Sequence, residues 1–291
     1  MNTIQINHIT KTYRQMTSPA LDNLTLEIGT GMFDLLGKNG AGKSTLMKIL
    51  TTLEYPTRGT ATIYGIPLTR PQEIRNLVGY LPQSFTFYPN MSVSDALAYL
   101  ATLANVPVRE QHHRIDDLLA RVNLIDKTNT KVKNLSGGML QRLGIAQALI
   151  NNPRVLIVDE PTAGLDPEER IRFRNLLADF ATDRTVLLST HIVSDIETTT
   201  NHIGILNRGQ LLFTGTTNDL IVQANDHVYE ATTSVAKATD FKQTHQVSEQ
   251  VTYDGQTHFR FIAETATDKP VHATLEEAYI YLQLQHEGVF S

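Results

Sequence analysis

The chain has 291 residues, 41% of them hydrophobic and 19% charged, enough for one large domain with a small one, or two modest ones. A formal net charge of −5 argues against a general nucleic-acid binder, which shows a basic face, and with no cysteine there are no disulfides or Cys-ligated zinc sites. The first five residues lack the basic and apolar regions of a signal peptide, and no apolar run reaches the ~18 residues of a membrane span, so the expectation is a soluble, cytosolic chain.

Residues 24–28 alternate apolar and polar, as a half-buried strand does. Gly29 and Gly31 mark a turn, residues 32–36 read as a second strand, and a glycine-rich loop leads into a helix over 45–50. Residues 92–150 read as mostly helical, opened by Ser92 with Asp95 three positions on, a capping signal. His112 and His113 are adjacent on a helix there, so they point apart and are expected to be solvated. Next come a buried strand over 155–158, a helix over 168–180, a strand over 186–189 and a short helix over 193–198. Such alternation predicts a mainly parallel sheet with helices on its faces. Residues 203–206 and 211–213, hinged at Asn207-Arg208-Gly209, read as a closing hairpin. Composition shifts near Gln223 toward Thr, Gln and His, and with a strand-like 258–262 and a helical 275–282, residues 224–291 read as a small strand-plus-helix appendage.

Gly37-Lys38-Asn39-Gly40-Ala41-Gly42-Lys43-Ser44 is a complete GxxxxGK[ST] loop between strand and helix. Its backbone N–H groups and the helix N-terminus favour polyphosphate. Lys43 would reach the β- and γ-phosphates, and Ser44 would ligate Mg²⁺. Asp159 ends a buried strand, where an acid holds Mg²⁺ directly or through water. Glu160, one residue on, is placed to polarise an attacking water as a general base.

Taken in order, these and further motifs resemble the ATP-binding-cassette (ABC) ATPases, the nucleotide-binding subunits of ABC transporters. The Walker A loop matches Gly37 to Ser44, and the Q-loop glutamine matches Gln83 in Tyr80-Leu81-Pro82-Gln83. The signature matches Leu135-Ser136-Gly137-Gly138-Met139, followed by Gln141-Arg142, and Walker B matches 155–159 with Glu160. The D-loop matches Ala163-Gly164-Leu165-Asp166, the switch histidine His191, and the adenine-facing aromatic Tyr13. The resemblance covers roughly residues 1–220, and six ordered motifs are far more specific than a lone loop.

The resemblance implies an α/β fold, the P-loop NTPase ABC cassette. Its parts are a mainly parallel sheet core, an N-terminal antiparallel β-subdomain and a helical subdomain near 84–150, so that 1–223 form the ATPase domain and 224–291 a small α+β appendage. It implies ATP held by Tyr13, by Gly37, Lys38, Asn39, Gly40, Ala41, Gly42, Lys43, Ser44 and Thr45, and in trans by Ser136, Gly137 and Gly138. Lys43, Gln83, Glu160 and His191 take the catalytic roles, with Mg²⁺ on Ser44, Gln83 and Asp159. The implied partners are a second copy or a similar ABC subunit and an integral-membrane permease, which would hold the chain at the inner face of the cell membrane; no nucleic acid is expected. Residues 31–33, 166–170 and 273–279 resemble the bacterial ABC-2, mostly exporting branch. Two positions depart from the family: Lys38 stands where most relatives carry proline, and Met139 replaces the signature glutamine. The alternative is a non-transport ABC ATPase acting on ribosomes or DNA, disfavoured by a single cassette, the lack of a heptad run and the negative charge. A P-loop kinase or GTPase leaves the signature unexplained, and no NKxD guanine motif is present.

Overall fold

The first third of the chain buries Ile4 and Ile6, and then Leu24, Leu26 and Ile28, at every second position, as strands do. It runs through β1 (Ile4–Lys11), β2 (Leu21–Ile28), β3 (Gly31–Leu36), α1 (Lys43–Leu50), β4 (Arg58–Ile63), β5 (Ile66–Pro67), α2 (Pro71–Leu77) and β6 (Val78–Leu81). The structure is a computed structural model that describes residues 3–14, 17–161, 165–196, 200, 202–265 and 269–288. In β2 the expected alternation holds from Leu24 to Ile28, with Leu24, Leu26 and Ile28 buried, and the strand itself begins three residues earlier at a buried Leu21. β2, β1, β4 and β5 form a four-stranded antiparallel sheet in that order, the β-subdomain implied by the family resemblance.

Three helices follow, α3 (Val93–Leu103), α4 (Val108–Arg121) and α5 (Gly137–Ala148). Ser92 caps α3 as its sequence predicts, accepting the Asp95 N–H at 3.1 Å. His112 and His113 are 91% and 86% exposed on α4, each facing an aspartate one turn on, Asp116 at 3.0 Å and Asp117 at 3.5 Å. The chain then alternates through β7 (Val155–Asp159), α6 (Pro167–Ala181), β8 (Thr185–Thr190), β9 (His202–Asn207) and β10 (Gln210–Thr216). Of the expected helix over 193–198 the described residues form a 3₁₀ turn at Val193–Asp195; residues 197–199 lie outside the described residues. Arg208 and Gly209, both left-handed at φ 46° and 83°, turn β9 into β10, as the Asn207-Arg208-Gly209 hinge predicts.

The six-stranded sheet has the order β10-β9-β3-β8-β7-β6, and its β3–β8, β8–β7 and β7–β6 pairs are parallel. All five residues of β7 are buried because the sheet is covered on both faces. Val155 and Ile157 join one core with Ile4, Ile6, Leu46, Met47 and Leu50. Leu156 and Val158 join the other, with Leu97, Leu118, Leu143 and Phe173. One strand thus ties the β-subdomain core to the helical core through its period of two.

The chain divides into two compact units, Met1–Ile192 with Gly204–Leu211, and Val193–Ile203 with Leu212–Ser291. Gln223, where composition shifts, lies in the last turn of α7 (Thr217–Ala224). The rest comprises β11 (Val228–Ser234), α8 (Ala238–Thr244), β12 (Gln246–Tyr253), β13 (Gln256–Ile262) and α9 (Leu275–His286), with an antiparallel sheet ordered β11-β13-β12. Its centre of charge is Glu277 of α9, whose side chain is 4% exposed. The Arg260 guanidinium donates to Oε1 at 2.8 Å and Oε2 at 2.9 Å, the Ser248 hydroxyl to Oε1 at 2.8 Å, and the Thr274 N–H to Oε2 at 2.8 Å. Burial pushes the Glu277 carboxyl up, but these donors together outweigh it and hold it down at about 2.

A folded-state value below the ordinary 4.5 means that Glu277 stabilises the fold above pH 4.5 and loses that contribution as pH falls toward 2. Thermal melts between pH 6 and 2 are expected to fall more steeply for the wild-type chain than for Glu277→Gln. At pH 7, Arg260→Ala is expected to cost about 2–4 kcal/mol, because it strands a buried carboxylate.

Candidate functional site

Parallel strands end their hydrogen-bonding runs on one edge of the sheet, and here the register aligns those ends closely. Leu36 pairs with Thr190, Asp159 with Ser189, and Leu81 with Val158. The segments leaving β3, β6, β7 and β8 therefore emerge side by side, at the carboxyl edge where open α/β sheets bind ligands. A cleft of about 300 Å³ lies there, lined by Tyr13, Ala20, Asn39, Gly40, Ala41, Gly42, Lys43, Ser44, Thr45, Gln83 and Glu160.

The glycine loop forms one wall. Gly42 precedes α1 at φ 110°, and α1 has no side-chain cap, so its first N–H groups are available to an anion. A Cβ on Gly42 would stand 2.5 Å from the Ala20 carbonyl oxygen and 2.9 Å from Leu21 Cδ2, so both the φ and the space require glycine. Lys43 opens α1 with its side chain only 4% exposed. Its ammonium donates to the Gly37 carbonyl at 2.6 Å and the Lys38 carbonyl at 3.4 Å. Lys38 itself is exposed, so the charge that replaces proline lies on the outer side of the loop while its carbonyl serves Lys43.

Glu160 is the hub. Its side chain is 7% exposed, and Oε1 pairs with Lys43 Nζ at 3.1 Å. Oε2 accepts from Gln83 Nε2 at 3.0 Å and faces His191 Nδ1 at 3.3 Å. The four residues assigned catalytic roles by sequence thus meet at one carboxylate. Glu160 takes a left-handed backbone, φ 46°, directly after β7, and its N–H donates to Ser189 Oγ at 2.9 Å. Ser189 Oγ in turn donates to Asp159 Oδ1 at 2.6 Å. Burial first, and then the Asp159 charge, push the Tyr80 phenol well above its usual range. Among the described residues no group of three or more His, Asp or Glu gathers to hold a metal; Ser44 and Gln83 line the cleft.

Tyr13 lines the same cleft at its outer end. Its hydroxyl donates to Glu54 Oε2 at 2.7 Å, Lys11 pairs with that carboxylate at 3.2 Å, and the Lys11 ammonium stands 5.0 Å from the ring centroid. Burial and then the Glu54 contact raise the Tyr13 phenol above its ordinary value. The ring is held by two partners at positions that no motif marks.

The signature residues lie elsewhere. Ser136 caps α5, accepting the Met139 N–H at 3.2 Å, and Ser136 and Gly137 are exposed. None of Ser136, Gly137 and Gly138 lines the glycine-loop cleft; Gly137 lines a different one of about 460 Å³ with Gln83, Phe85 and Leu165. A Cβ on Gly138 would stand 3.0 Å from Glu169 Oε2, the same oxygen that pairs with Arg142 Nε at 3.4 Å. Arg142 also donates to the Val122 and Asn123 carbonyls at 3.1 Å, so it joins the end of α4, the signature helix and the start of α6. Of the D-loop match, Ala163 and Gly164 lie outside the described residues; Asp166 caps α6, accepting the Glu169 N–H at 2.8 Å. Sequence reading missed Ser189, Glu54 and Glu169 as parts of this machinery. Only Ser189 carried a signal, its position just before Thr190-His191.

Comparison with known proteins agrees with this geometry. A family model described as ABC transporter matches residues 21–163. ATP-binding cassette sub-family A member 17 of Mus musculus is 38% identical over 215 residues, 72% of this chain and 12% of its own length. The chain therefore spans about an eighth of that relative. Nod factor export ATP-binding protein I of Cupriavidus metallidurans is 35% identical over 221 residues, 75% of this chain and 72% of its own. Among solved structures, the dimeric post-hydrolysis state of the ATP-binding cassette MJ0796 bound to ADP and Pi matches with a TM-score of 0.67 and 27% identity, over 73% of this chain and 98% of that one.

Replacing Gly42 tests how far the loop depends on its backbone. Gly42→Ala is expected to lower stability by about 2–4 kcal/mol in urea unfolding, through left-handed strain and the clash with Ala20. It should also weaken nucleotide binding in an equilibrium titration, because the first N–H groups of α1 shift.

Proposed function

Because the chain belongs to the ABC transporter ATP-binding proteins, we propose that it binds and hydrolyses ATP to drive an integral-membrane permease. The observation that carries this reading is the convergence of Lys43, Gln83 and His191 on the Glu160 carboxylate beside a glycine-loop cleft. In this reading the N–H groups of Gly37 to Thr45 cradle the phosphates, Lys43 exchanges its contact with Glu160 for the β- and γ-phosphates, and Tyr13 faces adenine. Glu160 accepts the proton of the attacking water, which His191 and Gln83 hold in place.

Ser44, Gln83 and Asp159 offer the hard oxygen donors that Mg²⁺ takes, and the Ser189 hydroxyl holds the Asp159 carboxylate in one orientation. Bound Mg²⁺ would offset the negative charge of the β- and γ-phosphates.

The exposed cap of α5 suits a γ-phosphate presented by a partner: Ser136, Gly137 and Gly138 lie outside the chain's own cleft and open a helix N-terminus. The likeness to a dimeric cassette supports a second copy, or a similar ABC subunit, as that partner. Residues 1–223 constitute the ATPase module and 224–291 its appendage. Among the described residues no helix is long and apolar enough to cross a membrane, which fits a chain held at the inner face of the membrane through the permease. Export is the direction favoured, on the likeness to a Nod factor export ATP-binding protein.

Glu160→Gln is expected to keep ATP affinity while lowering phosphate release by about 10²–10⁴-fold, and unchanged turnover would remove Glu160 as the base. The same variant, purified with ATP from detergent-solubilised host membranes, is expected to bring an integral membrane protein with it. Ribosomal or DNA-associated proteins in its place would overturn the transport assignment. A purified Ser136→Ala dimer is expected to lose ATP turnover, and normal hydrolysis would refute the trans arrangement.

A further inference from the structure

Three consecutive residues at the tip of β8 touch three different parts of the site. The Thr190 carbonyl accepts the N–H of Gly37, the first residue of the glycine loop, at 3.2 Å. His191 Nδ1 faces Glu160 Oε2 at 3.3 Å. Ser189, which precedes both, has no exposed surface, so no solvent competes for its hydroxyl. Asp159 is an acceptor and the Glu160 N–H a donor, so the hydroxyl has one arrangement that serves both: it donates to Asp159 Oδ1 at 2.6 Å and accepts from Glu160 at 2.9 Å. The donated bond is short and charge-assisted, the strong kind.

The second bond bears on a strained residue. A left-handed backbone at a side chain as long as glutamate costs on the order of 1–2 kcal/mol and persists only where its surroundings hold it. At Glu160 the hold is Ser189, whose Oγ and main-chain carbonyl both accept the Glu160 N–H, at 2.9 and 3.2 Å. That conformation accompanies a carboxylate directed at Lys43, Gln83 and His191. One buried oxygen therefore fixes the rotamer of the first acid and the backbone of the second.

We propose that Ser189 is a positioning residue for ATP hydrolysis, acting through Asp159 and Glu160 and making no contact of its own with the nucleotide cleft. The inference rests on the ATPase reading above. Its physical content is distinct from packing, because Ser189→Ala removes a single oxygen and Ser189→Cys keeps the volume while exchanging a strong hydrogen-bonding group for a weak one.

The test compares the purified wild-type chain with Ser189→Ala, Ser189→Cys and Ser189→Thr. It follows kcat and KM for ATP, equilibrium ATP affinity without turnover, and thermal melting. Ala and Cys are expected to lose about 10²-fold in kcat, as mispositioned catalytic groups do, with ATP affinity within about threefold of wild type. Thr, which retains the hydroxyl, is expected to recover most of the rate. Cys turning over at the wild-type rate would overturn the inference, and its filled volume keeps that result readable even if Ala fails to fold. Loss of rate in step with loss of ATP affinity and melting temperature, unrelieved by Thr, would also overturn it and leave Ser189 a packing residue. A wild-type chain that binds ATP without hydrolysing it would overturn the ATPase reading instead, before any variant is compared.

Discussion

The Glu160 carboxylate, nearly sealed from water and held by Lys43, Gln83 and His191, is the constraint on which the site depends. An uncompensated buried charge is costly, so each partner must arrive at hydrogen-bonding distance, and each comes from a different stretch of chain. Lys43 opens the helix after β3, Gln83 follows β6, Glu160 follows β7 and His191 follows β8. Their meeting therefore requires the parallel register of β3, β8, β7 and β6 to be correct. A one-residue slip would turn every side chain on a strand to the opposite face. The site and the sheet are two views of one requirement.

What holds that register is the pair of cores on either face of the sheet. Ile157 and Leu187 belong to the core shared with β1 and α1, while Leu156, Val158, Val186 and Leu188 belong to the core shared with the helices. Burial on both faces removes tolerance for polar residues along β7, and makes Asp159 and Glu160 the first acids the strand can carry, at its end. The catalytic groups are thereby placed on or directly after rigid elements, with left-handed backbone at the site in the loop before α1 and at Glu160.

The signature region obeys a different logic. Its serine and first glycine face solvent, while its helix is anchored from behind by Arg142 and Glu169. An exposed helix cap on a firmly anchored helix is suited to a phosphate that arrives from outside the chain. The second unit is built around its own buried carboxylate, Glu277, which accepts from Ser248, Arg260 and Thr274. There the charge is structural: its donors leave no part of the carboxylate free for a ligand.

The sequence by itself determined the glycine loop, the buried strand ending in Asp159 and Glu160, the Ser92 cap, the hairpin at Arg208-Gly209 and the order of the motifs, because each is a local pattern of residue types at fixed spacing. The solvated His112 and His113 were equally legible, since the direction of a side chain on a helix follows from its position. The described part of the helix expected over 193–198 is a 3₁₀ turn at Val193–Asp195, because a few helix-forming residues do not reveal which hydrogen-bonding pattern they adopt. Only the tertiary structure decided that Glu54 and Lys11 hold Tyr13, that Glu169 stands against Gly138, and that Ser189 bridges the two acids. Glu54 lies 41 residues from Tyr13, and Ser189 30 and 29 residues from the two acids, and a hydroxyl or carboxylate acquires its role only when strand pairing and helix packing bring its partner to within about 3 Å.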